Sequence, residues 1–431
     1  MKIALIGAGS NSFGRGVIVN VLSSRDLAKK DTTLFLMDID RESLEKMFRF
    51  AVLVKEYRRT SVKIQAGTGY REALSGADYV ITSVARKRME CWEQDFYIPL
   101  AFGFKHVLGE NGGPGAAFHT LRSLNLIIPI CKLMERYCPD ALLLNFTNPE
   151  SRVCLGVNRL TRIKAVGLCH GAFSTLHTVS QVLKRKEKEI DLEVGGINHF
   201  HWVLSIRDRK TGNDLYLEFR KKIQEKNVGP LTWMLYMKLG LLPFPSDNHI
   251  GEYIPYAYDI CGPYFLRYRG EISPAGHTRH GRSQNGDIIS LLLKGKKKLT
   301  RDMVRPVSEL AVPVIVDIEF DRGIKELAVN IPNEGRAVSN LPEDAIVEVP
   351  AVVDRQGLHP VKVGPLPESI ASICRTQIAI QNLLVQAYAE KSKSLLLQAL
   401  LMEPAVDSIT RAEKMMDELI RVEKAFLPEL R

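Results

Sequence analysis

Short apolar runs alternate with longer amphipathic segments along the first third of the chain. Runs of strand length cover residues 2–6, 33–37, 62–66, 79–84, 141–144 and 165–167. Between them, apolar residues recur every three to four positions, which predicts helices at about 13–23, 41–57 and 121–137. Strands that alternate with helices in this way predict an α/β fold with a parallel, doubly wound sheet of the Rossmann type.

The pattern changes near residue 190, where the regular alternation ends. Residues 202–207 and 214–217 flank a turn-forming Lys-Thr-Gly-Asn sequence, which predicts a hairpin. Short strands are expected within 327–353, and helices over 369–401 and 408–426. We therefore predict two domains, a Rossmann-type domain over residues 1–190 and a C-terminal mixed α+β domain over residues 191–431.

The composition is that of a globular chain. Hydrophobic residues make up 45% of the 431 and charged residues 25%, which excludes a disordered or coiled-coil protein and suits two or three domains. No run approaches 18 apolar residues, so we expect no membrane span. The N-terminus lacks a signal-peptide layout, and we expect a cytoplasmic protein. Seven cysteines without a Cys-x-x-Cys pair favour reduced core residues over a zinc knuckle or a redox dithiol.

A positive net charge raises the question of a nucleic-acid partner. The formal net charge is +10, but the basic runs are short and carry no interleaved aromatic residues. No DNA-binding motif is recognisable either. We therefore expect a solvated basic surface, which also attracts anionic small molecules, and no nucleic-acid partner.

A glycine-rich turn follows the first predicted strand. Gly7-Ala8-Gly9-Ser10 leads from that strand into a helix, and Asp38 ends the second strand. Glycines in such a turn let the backbone approach a pyrophosphate, and an acidic residue at the second strand binds the ribose hydroxyls of NAD. A serine stands where the third glycine of the fingerprint is usual, so a plain strand-helix turn stays open as an alternative.

Polar residues also follow the later strands, on the edge where ligands bind in a doubly wound sheet. The Asn148 amide is placed to bind a sugar hydroxyl or only to shape the turn before Pro149. Arg86 and Arg88 either clamp an anion or lie on the surface. The glycine-rich segment 105–115 predicts a mobile lid or a tightly turned loop.

Two further groups of residues carry ionisable side chains. Cys169-His170 ends the strand at 165–167, and a thiolate with imidazoles such as His199 suits a divalent transition metal, although a buried structural cysteine is the alternative. Residues 246–253 place Asp247 beside His249 and Glu252 in one loop. That cluster favours either a general base with its neighbours or a capped turn.

Taken together, these motifs resemble glycoside hydrolase family 4. The resemblance covers most of the chain and rests on residues 7–10, 145–149, 167–171, 196–199, 330–333 and 347–350. It implies a lactate/malate-dehydrogenase-like fold, an NAD cofactor and a divalent metal, usually Mn²⁺. The family is an exception among glycosidases that use two carboxylates.

The resemblance also implies roles for individual residues. Cys169 and His199 match the metal ligands, and Asn148 matches an asparagine that contacts substrate. His170 matches an acid. Asp247 matches the base of members that act on unphosphorylated sugars, and Tyr253 is the alternative candidate for the base.

The implied reaction is an elimination. NAD⁺ oxidises sugar C3, a base removes the C2 proton, and the aglycone leaves from C1. Water then adds across the resulting double bond, and NADH returns the hydride to C3. The Cys-His-Gly sequence is similar to that of members acting on α-glucosides or α-glucuronides. We thus expect an unphosphorylated, α-linked glucoside, galactoside or uronide as substrate, and a homo-oligomer, dimer or tetramer.

Two other classes of protein stay open at this point. An NAD-dependent 2-hydroxy-acid dehydrogenase shares the fold class and cofactor, but it needs a catalytic His-Asp pair and a substrate arginine, and no metal cysteine. A non-enzymatic NAD sensor is the other. Metal-dependent release of an aglycone without net formation of NADH distinguishes the glycosidase from both.

Overall fold

The computed structural model describes residues 1–10, 13–264 and 288–431. Most of the strands that it contains come from the apolar runs of the sequence. The strands are β1 (Lys2–Ile6), β2 (Thr33–Met37), β3 (Lys63–Gly67), β4 (Tyr79–Thr82), β5 (Leu142–Asn145), β6 (Ala165–Gly167), β7 (Ile190–Ile197), β8 (Phe200–Asp208), β9 (Ile324–Pro332), β10 (Ile346–Asp354) and β11 (Gly357–Pro360).

Helices cover both faces of this sheet. They are α1 (Phe13–Ser23), α2 (Arg25–Lys29), α3 (Arg41–Arg58), α4 (Tyr70–Leu74), α5 (Arg88–Ala101), α6 (Pro114–Tyr137), α7 (Glu150–Leu160), α8 (Gly171–Leu183), α9 (Tyr216–Lys222), α10 (Pro230–Leu239), α11 (Asp247–Ile250), α12 (Ala257–Cys261), α13 (Ile288–Leu293), α14 (Ala311–Phe320), α15 (Glu368–Glu390), α16 (Lys393–Met402) and α17 (Ile409–Glu423). None of the helices within the described ranges is long and apolar enough to cross a membrane.

The strands form one continuous mixed sheet. Its order is β3-β2-β1-β4-β5-β6-β9-β10-β7-β8, with β11 paired to β10. Strands β1 to β6 are parallel, and the pairings from β6 onwards are antiparallel. This arrangement confirms the predicted α/β, doubly wound sheet with a mixed second part. The division into two domains near residue 190 stays a prediction, and the sheet crosses it without interruption.

The register aligns the carboxyl ends of the central parallel strands. Ile6 pairs with Thr82, Thr82 with Asn145, and Asn145 with Gly167. The turns that follow these four strands therefore emerge side by side at one edge. This is the edge at which doubly wound sheets bind ligands.

The predicted hairpin at 202–207 and 214–217 is confirmed only in part, because the two segments share no more than two backbone hydrogen bonds and one antiparallel bridge across the predicted turn. The first segment belongs to β8, whose partner is the preceding strand β7, and Arg207 and Asp214 form only an isolated bridge. Strands β7 and β8 form a longer hairpin. Its turn contains Asn198 and His199, and His199 adopts a left-handed backbone conformation with φ 61°. Segment 202–208 pairs with β7 because that pairing buries the apolar faces of both strands, whereas α9 follows the later segment.

Candidate active site

A cavity of about 820 Å³ opens at the aligned strand ends. Its walls come from the turns after β1, β2, β4, β5 and β6, from the β7–β8 turn, and from the segment around α11. Most of the residues singled out by the sequence line it: Gly7, Ser10, Asp38, Arg86, Arg88, Asn148, Cys169, His170, His199 and His249. The cavity therefore gathers groups that are far apart along the chain.

The glycine-rich turn forms one end of the cavity. Gly7 has a positive φ of 87°, and a Cβ at this position would lie 2.5 Å from the Ser83 carbonyl oxygen. The Gly9 amide donates a 2.8 Å hydrogen bond to Asp38 Oδ2, and the Ser10 hydroxyl accepts one from the Phe13 amide at the start of α1. Backbone amides and a carboxylate thus meet where the sequence places a dinucleotide.

The middle of the cavity contains a carboxylate that the sequence analysis missed. Glu110 Oε1 lies 3.4 Å from the Arg88 guanidinium and 3.5 Å from the Asn148 amide nitrogen. Glu110 belongs to the glycine-rich segment 105–115, which is a buried, tightly turned loop. The glycine content of this segment predicts a loop, but it does not indicate that the Glu110 carboxylate lies in the cavity.

Cys169 follows β6 beside two buried carboxylates. Its Sγ accepts a hydrogen bond of 3.3 Å from the Gly171 amide. Burial raises the pKa of the Cys169 thiol, and the negative charges of Glu348 and Glu150 raise it further. Burial also raises the pKa of Glu150. A cation would stabilise the ionised forms of these buried acids, so this wall of the cavity is a favourable place for one.

His170 stands next in the chain and is exposed to the cavity. It is the residue before the first turn of α8, and surrounding protein lowers the pKa of its imidazole. The lowered pKa favours the neutral imidazole, in which one ring nitrogen can donate a hydrogen bond and the other can accept one.

His199 projects from the β7–β8 turn and is almost fully buried. Its ring centroid lies 4.3 Å from that of His249. Burial lowers the pKa of His199, and the neighbouring His249 and His201 lower it further. Two neighbouring imidazoles are a suitable pair of ligands for a divalent transition metal.

Asp247 does not reach the cavity, contrary to the sequence-based expectation. Its carboxylate faces the N-terminus of α10, where it accepts hydrogen bonds from the Leu231 and Thr232 amides at 3.0 and 2.8 Å and from the Thr232 hydroxyl at 2.6 Å. The reason is physical, because unpaired amides at a helix N-terminus attract a carboxylate. This geometry matches the capped-turn alternative.

Tyr253 is likewise turned away from the cavity. Its hydroxyl donates to the Asn198 carbonyl oxygen at 3.2 Å, and its side chain is buried. Burial raises the pKa of this phenol well above its ordinary value. A different tyrosine, Tyr264, lines the cavity. The sequence analysis did not single it out, because nothing local marks it as lying near the strand ends.

Replacing Asp247 with Asn is expected to lower stability more than turnover. The amide retains one acceptor oxygen but loses the second one and the charge, which should destabilise the fold by about 1–2 kcal/mol. Thermal melting and kcat measure the two effects separately. A fall in kcat of about 10²- to 10⁴-fold with an unchanged melting temperature would instead identify Asp247 as a general base.

Two family models match this chain. The model described as "Family 4 glycosyl hydrolase" matches residues 2–185, and that described as "Family 4 glycosyl hydrolase C-terminal domain" matches residues 194–406. Among curated relatives, an alpha-glucosidase of Erwinia rhapontici is 31% identical, covering 98% of this chain and 96% of its own length. An alpha-galactosidase of Bacillus subtilis is 29% identical and covers 99% of both.

A solved structure shares the fold over the whole chain. It is a 6-phospho-alpha-glucosidase from gut microorganisms, in complex with NAD and Mn²⁺. The TM-score is 0.84, the sequence identity 23%, and the match covers 100% of this chain and 99% of the other.

Proposed function

Since the chain belongs to the family 4 glycosyl hydrolases, we propose that it hydrolyses unphosphorylated α-linked glycosides with NAD and Mn²⁺ as cofactors. Its membership agrees with the resemblance of its sequence motifs. The names of the alpha-glucosidase and alpha-galactosidase relatives support an α-linked glucoside or galactoside. The observation that carries the proposal is the meeting of the glycine-rich turn, Cys169 and His199 in one cavity.

The cofactor end of the cavity fits NAD. A Cβ at Gly9 would lie 2.8 Å from Asp38 Oδ2. Because glycine has no side chain, the turn stays tight and its backbone amides remain accessible to a phosphate. Gly7, Gly9 and Ser10 are proposed to surround the pyrophosphate, and Asp38 to bind the ribose hydroxyls. Asp38 would exchange its bond from the Gly9 amide for bonds from these hydroxyls.

The opposite wall fits a divalent cation. Cys169 lies close to the Glu348 and Glu150 carboxylates, and His199 Nδ1 is buried without a hydrogen-bond partner. A cation there would balance this negative charge and satisfy the imidazole. We therefore propose Cys169 and His199 as ligands of Mn²⁺, for which the gut-microorganism enzyme, solved in complex with NAD and Mn²⁺, provides a precedent.

The sugar is proposed to lie between these two ends. Asn148 and Glu110 would bind its hydroxyls, because both offer polar atoms to the cavity. Arg88 lies 3.4 Å from Glu110, so part of its positive charge is already balanced. This pairing favours a neutral hexoside over a uronide, although Arg86 also lines the cavity and keeps a uronide as a test substrate.

When bound, NAD⁺ supplies a hydride acceptor for sugar C3 and a divalent cation supplies Lewis-acid stabilisation of the neighbouring oxygens. The residues of the chain then have to move protons at C2 and at the leaving oxygen. His170 is the exposed imidazole nearest in sequence to the proposed ligands and is proposed as the acid. Asp247 would have to leave the N-terminus of α10 before it could act as the base.

Hydrolysis in D₂O tests the reaction class. If C2 is deprotonated, the released sugar should carry deuterium at C2, detectable by NMR, since direct displacement at C1 never breaks the C2–H bond. Turnover should require both NAD⁺ and Mn²⁺ and should leave no net NADH. A product without deuterium at C2 would contradict the elimination.

A panel of nitrophenyl glycosides identifies the sugar. We expect release of nitrophenol from the α-glucoside or α-galactoside, with little from β-anomers or 6-phosphorylated sugars. Net reduction of NAD⁺ by 2-hydroxy acids, without metal-dependent nitrophenol release, would favour the dehydrogenase alternative. A homo-oligomer, dimer or tetramer, and a cytoplasmic location stay predictions.

A further inference from the structure

A cluster of three side chains at the wall of the cavity offers metal-binding atoms beyond those of the two proposed ligands, Cys169 and His199. His199, His249 and Glu252 each offer one ligand atom, and these atoms all lie within 4.8 Å of one another. Within the described part of the chain, His199 Nδ1, His249 Nδ1 and Glu252 Oε2 are buried and lack hydrogen-bond partners. His249 Nδ1 and Glu252 Oε2 face each other at 3.9 Å, and His199 Nδ1 has no partner, so a cation that all three can reach would satisfy them together.

The three side chains are held in place by separate elements. His199 is fixed by the β7–β8 turn and His249 by the short helix α11. Glu252 is anchored through its other oxygen, which accepts hydrogen bonds from the Glu110 and Asn111 amides. The unpartnered atoms are therefore positioned by backbone contacts that do not involve a metal, as in a preorganised binding site.

The donor set has a defined metal chemistry. Two imidazoles and one carboxylate provide three ligands and leave the remaining positions around the cation open. A divalent cation held by these groups would supply Lewis-acid stabilisation to sugar oxygens at its open positions. His199 and His249 line the cavity, so they would hold the cation at its wall, within reach of a bound substrate.

We propose that His249 and Glu252 join His199 as ligands of the divalent cation. This inference rests on the proposed function, because it concerns the same cation. It assigns to the chain a metal site with three ligands from the β7–β8 turn and the α11 region, whereas Cys169 Sγ, at the end of β6, lies outside this group of atoms. His249 thereby becomes a metal ligand, whereas the loop of residues 246–253 was expected to supply a general base.

Binding of Mn²⁺ alone tests the proposal. The full chain is freed of metal with a chelator and titrated with Mn²⁺ while the signal of the free ion is followed by EPR, without NAD or sugar. His249→Gln and Glu252→Gln should each raise Kd by at least about 100-fold, more than the 10- to 100-fold typical of outer partners of a metal site. His177→Gln is the matched control, because His177 pairs with Glu187 on the surface.

Folding of the variants is checked by thermal melting without metal. Glu252→Gln retains an oxygen that accepts the Glu110 and Asn111 amides, so the loop should stay anchored. A second measurement needs no substitution of the carboxylate. Electron spin echo spectra of the Mn²⁺-bound protein should show two imidazole nitrogens in the wild type and one in His249→Gln.

The outcomes separate this inference from the proposed function. Wild-type affinity in His249→Gln and Glu252→Gln, or a single imidazole nitrogen in the wild type, would overturn the three-residue site. If affinity still depended on Cys169 and His199 in that case, the proposed function would stand. If the wild type bound no Mn²⁺ at all, the inference and the metal part of the proposed function would both fail.

Discussion

Replacing Cys169 with Ser is expected to remove nearly all turnover and most of the affinity for Mn²⁺. The serine hydroxyl is a poor substitute for a thiolate ligand of a divalent transition metal. Lewis-acid stabilisation is worth several kcal/mol, so kcat should fall by about 10²- to 10⁴-fold. Steady-state rates with saturating NAD⁺ and Mn²⁺ provide the measurement.

Co²⁺ substitution shows whether the loss comes from the metal. A thiolate bound to Co²⁺ gives a charge-transfer absorption in the near ultraviolet, which should be present in the wild type and absent in Cys169→Ser. Cys138→Ser is the matched control, since Cys138 is a free, buried cysteine at the far end of the sheet, beside the start of β1. Full activity of Cys169→Ser in buffer containing a chelator would rule out the assigned role.

Replacing Gly9 with Val is expected to abolish NAD⁺ binding. The Cβ would lie 2.8 Å from both Asp38 Oδ2 and Ser43 Cβ, and the two methyl groups of valine would crowd these neighbours further. The turn would have to shift, and Asp38 would move with it. Loss of both the phosphate and the ribose contacts should weaken binding by more than about 100-fold, or about 2.7 kcal/mol.

Gly69→Val controls for the general effect of the substitution. A Cβ at Gly69 meets no atom closer than 3.8 Å, so this variant should bind NAD⁺ normally. Calorimetric titration measures the affinity of each variant, and circular dichroism shows whether Gly9→Val is still folded. Normal affinity in a folded Gly9→Val would exclude the glycine-rich turn as the pyrophosphate site.

Local periodicity predicted the parallel half of the sheet well. Strands β1, β2 and β6 and helix α1 have the expected bounds, because each is a short segment whose apolar spacing matches one conformation. The antiparallel half was harder to predict. The segment 202–208 has the composition of a strand in any hairpin, and the choice of β7 as its partner depends on packing between distant segments.

A long predicted helix shows a smaller failure of the same kind. Residues 369–401 form two helices, α15 and α16, because Lys391 adopts a left-handed conformation with φ 55° and Ser392 caps the second helix. The apolar periodicity continues across this break. Only the backbone geometry distinguishes one bent segment from two packed helices.

The sequence by itself determined the α/β class, the glycine-rich turn and the polar residues that follow the strands. These features can be recognised from local sequence. Once the chain forms a doubly wound sheet, the carboxyl ends of its parallel strands meet at one edge, so the residues that follow them lie close together. Only the tertiary structure decided which side chains face the cavity. Asp247 is turned toward α10 while its neighbour His249 faces His199, and Glu252 meets the amide of Glu110 from 142 residues away. The reason is that hydrogen-bond partners for buried polar groups are chosen by three-dimensional packing, which no spacing along the chain encodes.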